Sequence, residues 1–437
     1  MQNEPKKIIV VLLDGLGDRA YPALDHRTPL QSADTPNLDW LAHRGSNGLY
    51  HPSYPGQCLP SEIAHYLLFG CDPADFPGRA LLEAVGDGVS FHDDDVLCLA
   101  HLSQIEWQKD GMAVLTGGRD DIVGSREDFG KVYGLIQRFE IEAVRIRLVQ
   151  TRRNDAVLLI SGPVSERISD SDPIRKGWPV ARIEPLPTGE LQDAERTASA
   201  LNAYLEHCHR ILSDPQKNPY RDQIPANFLV TQRCGRRRPQ HAFQTLWGLK
   251  GALIASSSVY AGLAREIGLD FIPAIDTRSP GDDLRERIAQ ALSDNGHDYW
   301  HVHTKLPDVA AHQGNAEDKR DVISVLDRGL DHLVDEMAHR DDVLLAVTAD
   351  HCTPCDSSLI HSGEPVPLLI CGSQVRRDNV VTFDEIEAAR GCLGMLRGAE
   401  LMAMLLNYAD RSNLYSHRLG RVERRYRSLA YPPFRPT

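Results

Sequence analysis

Seven residues of this chain have side chains and local settings suited to holding two metal ions: Asp14, Ser61, Asp308, His312, Asp350, His351 and His361. Asp14 ends the apolar run Ile8-Ile9-Val10-Val11-Leu12-Leu13. Asp350-His351 ends a second, Val343-Leu344-Leu345-Ala346-Val347-Thr348-Ala349. Such runs, without polar alternation, read as buried parallel strands. In open α/β sheets, ligands gather just beyond the carboxyl ends of strands. Two strands thus deliver carboxylates, one with an adjacent imidazole, to the edge where chemistry is done. Asp308 and His312 stand four residues apart, so a helix there puts both on one face. His361 follows ten residues after His351, in the loop His361-Ser362-Gly363-Glu364-Pro365. Mixed imidazole and carboxylate donors suit Mn²⁺, Zn²⁺ or Fe better than Ca²⁺, and a lone Mg²⁺ prefers oxygens. Taken singly, each residue is more often a cap or a surface group. The joint pattern is what points to metal.

Ser61 is the pivotal residue. In Pro60-Ser61-Glu62-Ile63-Ala64-His65-Tyr66-Leu67-Leu68 the proline lies outside and a helix begins at the serine. One reading is an ordinary N-cap, whose hydroxyl satisfies free backbone amides. The other is a nucleophile at a helix N-terminus, where amides and dipole favour an incoming phosphate. A hydroxyl beside a metal ion loses its proton far more readily. It can then attack phosphorus and form a phosphoserine, dividing one hard displacement into two easier ones.

The elements that must position these groups follow an α/β rhythm. Apolar runs alternate with amphipathic stretches, the pattern of a mostly parallel sheet flanked by helices. A short helix is expected over Pro36–Ala42. Residues 126–138 read as helix, 142–149 and 155–161 as strands, and 190–213 as a long helix after Pro-rich 179–187. That middle mixture predicts an α+β unit inserted in the core. From about Asn227 the α/β rhythm is expected to resume, with a strand at Phe228-Leu229-Val230, a helix near 247–267 and a strand over Tyr299–His303. Because candidate ligands sit on both sides of the insert, the predicted core is discontinuous: 1–95 and 225–437, with 96–224 inserted.

Composition bounds the partners. The chain has 437 residues, with 48 basic against 61 acidic side chains, a net charge of −13, and no long basic block. That argues against nucleic acid or an anionic membrane as the main partner. No signal-peptide layout opens the chain, and no apolar stretch approaches the roughly 20 residues needed to span a bilayer. Nine cysteines, an odd number without regular spacing, read as reduced thiols of a cytoplasmic protein. Cys352 and Cys355 form a C-x-x-C directly after Asp350-His351, which reads as loop packing near the metal residues rather than a redox pair.

Taken together, these segments resemble the archaeal-type, cofactor-independent phosphoglycerate mutases of the alkaline phosphatase superfamily. The resemblance rests on Leu13-Asp14-Gly15-Leu16-Gly17-Asp18-Arg19, Asp34-Thr35-Pro36-Asn37-Leu38-Asp39, and Pro55-Gly56-Gln57 followed by Ser61. It continues through Gly78-Arg79, Leu82-Glu83-Ala84-Val85-Gly86, Asp170-Ser171-Asp172-Pro173 and Trp247-Gly248-Leu249-Lys250. Most specific are Lys305-Leu306-Pro307-Asp308 with His312, Thr348-Ala349-Asp350-His351-Cys352-Thr353-Pro354-Cys355, and His361-Ser362-Gly363-Glu364-Pro365-Val366-Pro367. The resemblance implies an alkaline-phosphatase-like core with an inserted α+β cap that covers the substrate. It implies one metal site at Asp14, Ser61, Asp350 and His351, with Ser61 the phosphorylated nucleophile, and a second at Asp308, His312 and His361. It further implies two divalent ions, Mn²⁺ first with Zn²⁺ or Mg²⁺ as alternatives, and a small phosphorylated substrate.

The substrate-facing segments depart from the family pattern. Pro60-Ser61-Glu62 replaces Gly-Ser-Asp, Asn154-Asp155 stands where Gly-His-Arg is usual, and Ile174 replaces a histidine. The arginine-rich stretch of the insert is reduced to Thr116-Gly117-Gly118-Arg119. Arginine matters there because its planar fork binds carboxylate or phosphate bidentately. Arg119, His65, Lys250 and Arg236 are the candidate substrate contacts, Arg236 as one of a crowd with Arg233, Arg237 and Arg238 in either a solvated loop or a replacement anion clamp. His301 and His303 share one strand face and read as packing or as support for ligands. Three functions follow: a phosphoglycerate mutase-like isomerase, a hydrolase or phosphotransferase on another phosphate or phosphonate ester, and a non-catalytic relative. The complete ligand set argues against the last.

Overall fold

Six consecutive apolar residues can be hidden only if both faces of their strand are covered, and the computed structural model shows how this is done. It describes residues 6–187, 191–428 and 430–436. Lys7–Leu13 lies between Tyr299–Thr304 and Val343–Thr348, parallel to both, with Ile8 paired to Tyr299 and Leu12 to Thr348. Ile8 to Leu12 are fully buried, as is every residue of Val343–Thr348. Each fully buried aliphatic side chain there stabilises the fold by roughly 1.5–3 kcal/mol. The eight-stranded sheet runs Asp270–Pro273, Gly251–Ala255, Tyr299–Thr304, Lys7–Leu13, Val343–Thr348, Val366–Cys371, Ser46–His51, Gly394–Arg397. Its pairings are parallel except on the two sides of Val366–Cys371.

Contacts divide the chain into two units, 1–76 with 240–437, and 77–239. The sequence boundaries at 95 and 225 differ from these for a physical reason. Helix Arg79–Gly86 packs its Ala80 and Ala84 on Leu97, Val157 and Leu159 of the second unit's sheet. Strand Phe228–Gly235 pairs with Val96–Trp107 in that same sheet rather than resuming the parallel core. The second unit is antiparallel throughout, ordered Ala113–Gly117, Val96–Trp107, Ala156–Ser161, Val144–Gln150, Arg138–Ile141. Along Val96–Trp107 the pattern alternates: Val96, Cys98, Ala100 and Leu102 join a core with helices Arg126–Leu135 and Leu191–Leu212, while Leu97 turns to the opposite face.

The helix expected near 247–267 is a correction. Gly251–Ala255 is a buried strand, and the helix occupies only Ser258–Ile267. A five-residue apolar run cannot be told from a buried helix by period alone. Among the described residues, no helix is long and apolar enough to cross a membrane.

Candidate active site

The carboxyl ends of three adjacent parallel strands meet in one place. Strand Lys7–Leu13 delivers Asp14, Val343–Thr348 delivers Asp350 and His351, and Tyr299–Thr304 leads into helix Leu306–His312, which carries Asp308 and His312. The ends are laced by backbone bonds: Asp14 N–H donates to Thr304 O at 3.0 Å and Asp308 N–H to Asp14 O at 3.0 Å. Ligand atoms of Asp14, Asp350 and His351 lie within 4.8 Å of one another, as do those of Asp308, His351 and His361. His351 therefore belongs to both clusters, and its ring stacks on that of His361 at 3.7 Å between centroids. His312 sits at the rim, its Nε2 3.2 Å from Asp308 Oδ1 and its side chain 42% exposed.

Ser61 is not a helix cap. The N-cap position of helix Ser61–Leu68 is Pro60, and no side-chain cap bond is made. The hydroxyl instead stands 3.0 Å from His351 Nε2, buried among the carboxylates.

The hydrogen bonds leave free the atoms a metal would need. Asp14 Oδ2 accepts from Tyr260 Oη and His303 Nε2, each at 3.0 Å, while its Oδ1 is buried with no hydrogen-bond donor. Asp350 Oδ1 accepts from the backbone N–H groups of Gly15 and His351, and its Oδ2 is likewise buried without one. Thr353 Oγ1 donates to Asp308 Oδ1 at 2.9 Å and so accepts from His351 Nδ1–H at 3.1 Å. That turns Nε2 of His351 toward the centre, 3.0 Å from Ser61 Oγ, and in the neutral ring this is the nitrogen that carries the lone pair. His361 Nδ1–H donates to Leu59 O at 2.8 Å, with the same result. Buried polar atoms cost free energy unless satisfied. Oriented ligands with one end held and the other end free are how proteins bind divalent metals, so these residues fit such ions.

Electrostatics agree. Burial disfavours the charged form of His351, but Asp350, Asp14 and Asp308 outweigh it and push its pKa up to about 9. Burial also opposes ionisation of Asp308 and Asp350, yet neighbouring imidazoles hold both carboxyls well below the usual range. The protonated imidazole offsets the carboxylates here, as a cation would. Gly15 makes the close approach possible: its φ is +68°, and a Cβ there would lie 2.8 Å from Asp308 Cβ. Gly15→Ala is expected to cost about 1–2 kcal/mol in backbone conformation alone, with further loss from displacing Asp308. A urea titration reads the first effect and bound-metal content the second; an unchanged midpoint contradicts this account.

A family model described as the metalloenzyme superfamily matches residues 6–408. The chain is 38% identical over 425 residues to 2,3-bisphosphoglycerate-independent phosphoglycerate mutase 2 of Methanocaldococcus jannaschii, across 95% of this chain and 96% of that one. It is 36% identical to the 2,3-bisphosphoglycerate-independent phosphoglycerate mutase of Methanopyrus kandleri, across 93% and 97%. The chain belongs to this mutase family. Two solved structures share its fold: the cofactor-independent phosphoglycerate mutase of Thermoplasma acidophilum, with TM-score 0.61 and 31% identity over 92% of this chain and 100% of that one, and a Pyrococcus horikoshii protein, with TM-score 0.73 and 28% identity over 94% and 100%.

Within this mutase scaffold, the residues expected as substrate contacts have partners of their own in the chain. Lys250 precedes strand Gly251–Ala255, at the amino end of the sheet, where it faces Asp270. It stands at the opposite end of the strands from the clustered ligands. His65 is fully buried; Nδ1 bonds Ser61 O at 2.8 Å, and the ring packs against Tyr260, His301 and His303. Burial pushes its pKa down to about 4, so it is a neutral support for the helix that carries Ser61. Arg119 is gripped bidentately by Asp155, at 2.6 and 2.8 Å. Arg236 bonds Val164 O and approaches Glu166, Arg238 pairs with Glu166, and Arg237 with Asp93. Strand-end logic failed there because Phe228–Gly235 belongs to an antiparallel sheet. Asn154 is a buried tie, bonded to Leu102, Tyr133 and Arg119.

Four supporting residues escaped sequence reasoning or were only half seen. His303 was placed on a shared face with His301, and it is this residue that holds Asp14. Tyr260 lies in a helix with no motif. Thr353 follows His351 without any mark of its role. Lys305 holds its ammonium 3.6 Å from Asp308 Oδ2, a proximity its i,i+3 spacing could have flagged.

Proposed function

We propose that this metalloenzyme moves a phosphoryl group through a phosphoserine on Ser61, as a mutase interconverting 2- and 3-phosphoglycerate or rearranging a closely related phospho-acid. The observation that carries this reading is Ser61 Oγ at 3.0 Å from His351 Nε2, beside the donor-free oxygens of Asp14 and Asp350. We assign Asp14, Ser61, Asp350 and His351 to one divalent ion and Asp308, His312 and His361 to a second, with Mn²⁺ first and Zn²⁺ or Mg²⁺ as alternatives. When bound, such ions polarise phosphoryl oxygens and lower the pKa of the serine hydroxyl. The chain's own residues do the rest. Ser61 presents its oxygen at the first turn of a helix whose free amides favour a phosphate. The Oγ–P bond forms as the ester O–P bond breaks, and the serine proton passes to the departing alkoxide. Return of the phosphoryl to the neighbouring hydroxyl completes the isomerisation. Nine unbridged cysteines support placing this reaction in the reducing cytoplasm.

The bidentate Arg119–Asp155 pair favours a second reading, because an arginine so occupied is a weaker clamp for a substrate carboxylate. On that reading the same serine serves a hydrolase or phosphotransferase acting on another phosphate or phosphonate ester. Turnover of Mn²⁺-loaded protein with 3-phosphoglycerate, following 2-phosphoglycerate and free phosphate together, separates the two. Isomer without phosphate is the expected result. Phosphate release alone, or no reaction in protein shown to carry two ions, would replace the mutase with the second reading.

A further inference from the structure

A lysine ammonium is among the costliest groups to bury, with a penalty of several kcal/mol unless it is fully paired. Lys319, in helix Ala316–Arg328, is 0% exposed. Its Nζ donates to Gly17 O at 3.0 Å, Thr353 O at 2.9 Å and Asp18 Oδ2 at 2.9 Å, which uses all three ammonium hydrogens. The counter-ion is itself fixed. Asp18 Oδ1 accepts from Tyr21 Oη and the Arg19 N–H, each at 2.6 Å, and Cys355 Sγ lies 3.2 Å from Oδ2.

The two carbonyls belong to different loops. Gly17 is in the turn that leaves Asp14, and Thr353 is in the turn that leaves Asp350 and His351. The loops also meet directly, since Thr353 N–H donates to Gly17 O at 3.0 Å. Their approach is too close for a side chain at position 17, where a Cβ would stand 2.3 Å from Cys352 Sγ. Thr353 is the pivot. Its carbonyl is held by Lys319, and its hydroxyl orients Asp308 and His351. A neutral side chain of similar length would fill the same space without the desolvation cost. A charge kept at this crossing therefore marks a demand for defined loop positions.

We propose that Lys319 is a positioning residue that cross-braces the two ligand-bearing loops and pre-organises both metal sites at once. The proposal rests on the dimetal reading above. It predicts a coupled effect, because one ammonium governs the turn that carries Asp14 and the threonine that sets Asp308. Lys319→Met is expected to weaken Mn²⁺ binding at both sites by about 10- to 100-fold, the range seen when outer partners of metal ligands are removed. A purely structural lysine would lower the melting temperature and leave the two dissociation constants of the folded fraction unchanged.

The test is calorimetric titration of metal-free wild type and Lys319→Met with MnCl₂, together with hydrogen exchange of metal-free wild type. Weakening of both sites supports the brace. Unchanged affinities, or loss at one site only, overturn it. If Lys319→Met does not fold, Lys319→Gln, whose amide replaces two of the three donors, is titrated in its place. The exchange measurement needs no variant. Segments 14–18 and 350–355 should already be protected without metal, and rapid exchange that slows only on adding Mn²⁺ would show that the ion orders the loops and would overturn the brace. Wild type that takes up no Mn²⁺ is a different failure, that of the dimetal reading itself.

Discussion

Replacing Ser61 by alanine is expected to lower turnover by on the order of 10⁴-fold or more, the scale on which loss of a covalent nucleophile acts, while leaving fold and metal uptake in place. The separation of effects follows from the geometry. The hydroxyl makes no helix-cap bond, so its removal costs none of the roughly 1 kcal/mol that a cap contributes. The remaining candidate ligands are held by other partners: Asp14 by Tyr260 and His303, Asp350 by two backbone amides, and His351 by Thr353. The variant should therefore melt within about 1 kcal/mol of wild type, retain its metal, and show no phosphorylated serine by mass spectrometry after exposure to substrate. Turnover near the wild-type rate would rule out the covalent route.

Chelation should have the second largest effect, on stability and activity together. Asp14, Asp308 and Asp350 are all buried, Asp14 and Asp350 in one cluster and Asp308 in a second, with His351 common to both. Without metal, protonated His351 is the principal offset for Asp350, while His312 and His361 lead for Asp308. An ion present at about 1,000 times its dissociation constant contributes about 4 kcal/mol, so metal removal should lower the melting temperature by on the order of 10 °C. The pH dependence carries a signature. In metal-free protein the folded pKa of His351, about 9, lies above its unfolded value. Its contribution is therefore complete below about pH 6.5, the unfolded pKa, and is lost as pH rises through 9. Metal requires the neutral imidazole, so binding releases that proton and apparent affinity rises over the same interval. Melting curves with EDTA should accordingly fall from pH 6.5 to 9, and the gain from added Mn²⁺ should grow. Identical curves with and without metal would show that these residues hold no ion.

Much of this site could be read along the chain because its signals are local. An apolar run that stops at an aspartate marks a strand end, and a four-residue spacing marks one helix face. Both statements need only neighbouring residues, and the structure brings Asp14, Ser61, Asp308, Asp350, His351 and His361 together, with His312 at the rim. Where local and global information diverged, the sequence misled. Lys250 carries the right charge but precedes its strand instead of following it. Phe228–Gly235 has the apolar character of a core strand yet pairs antiparallel in the other unit. Parallel and antiparallel strands share one backbone period, and only the partner distinguishes them.

The chain's own pattern thus determined which residues reach the carboxyl edge of the sheet. Tertiary structure alone decided how they are held. Tyr260 meets Asp14 across 246 residues, His303 meets it across 289, and Lys319 meets Gly17 across 302. Such contacts leave no period in the sequence. They exist because helices and strands distant along the chain pack together, and burial then leaves each polar group with no partner but the one beside it.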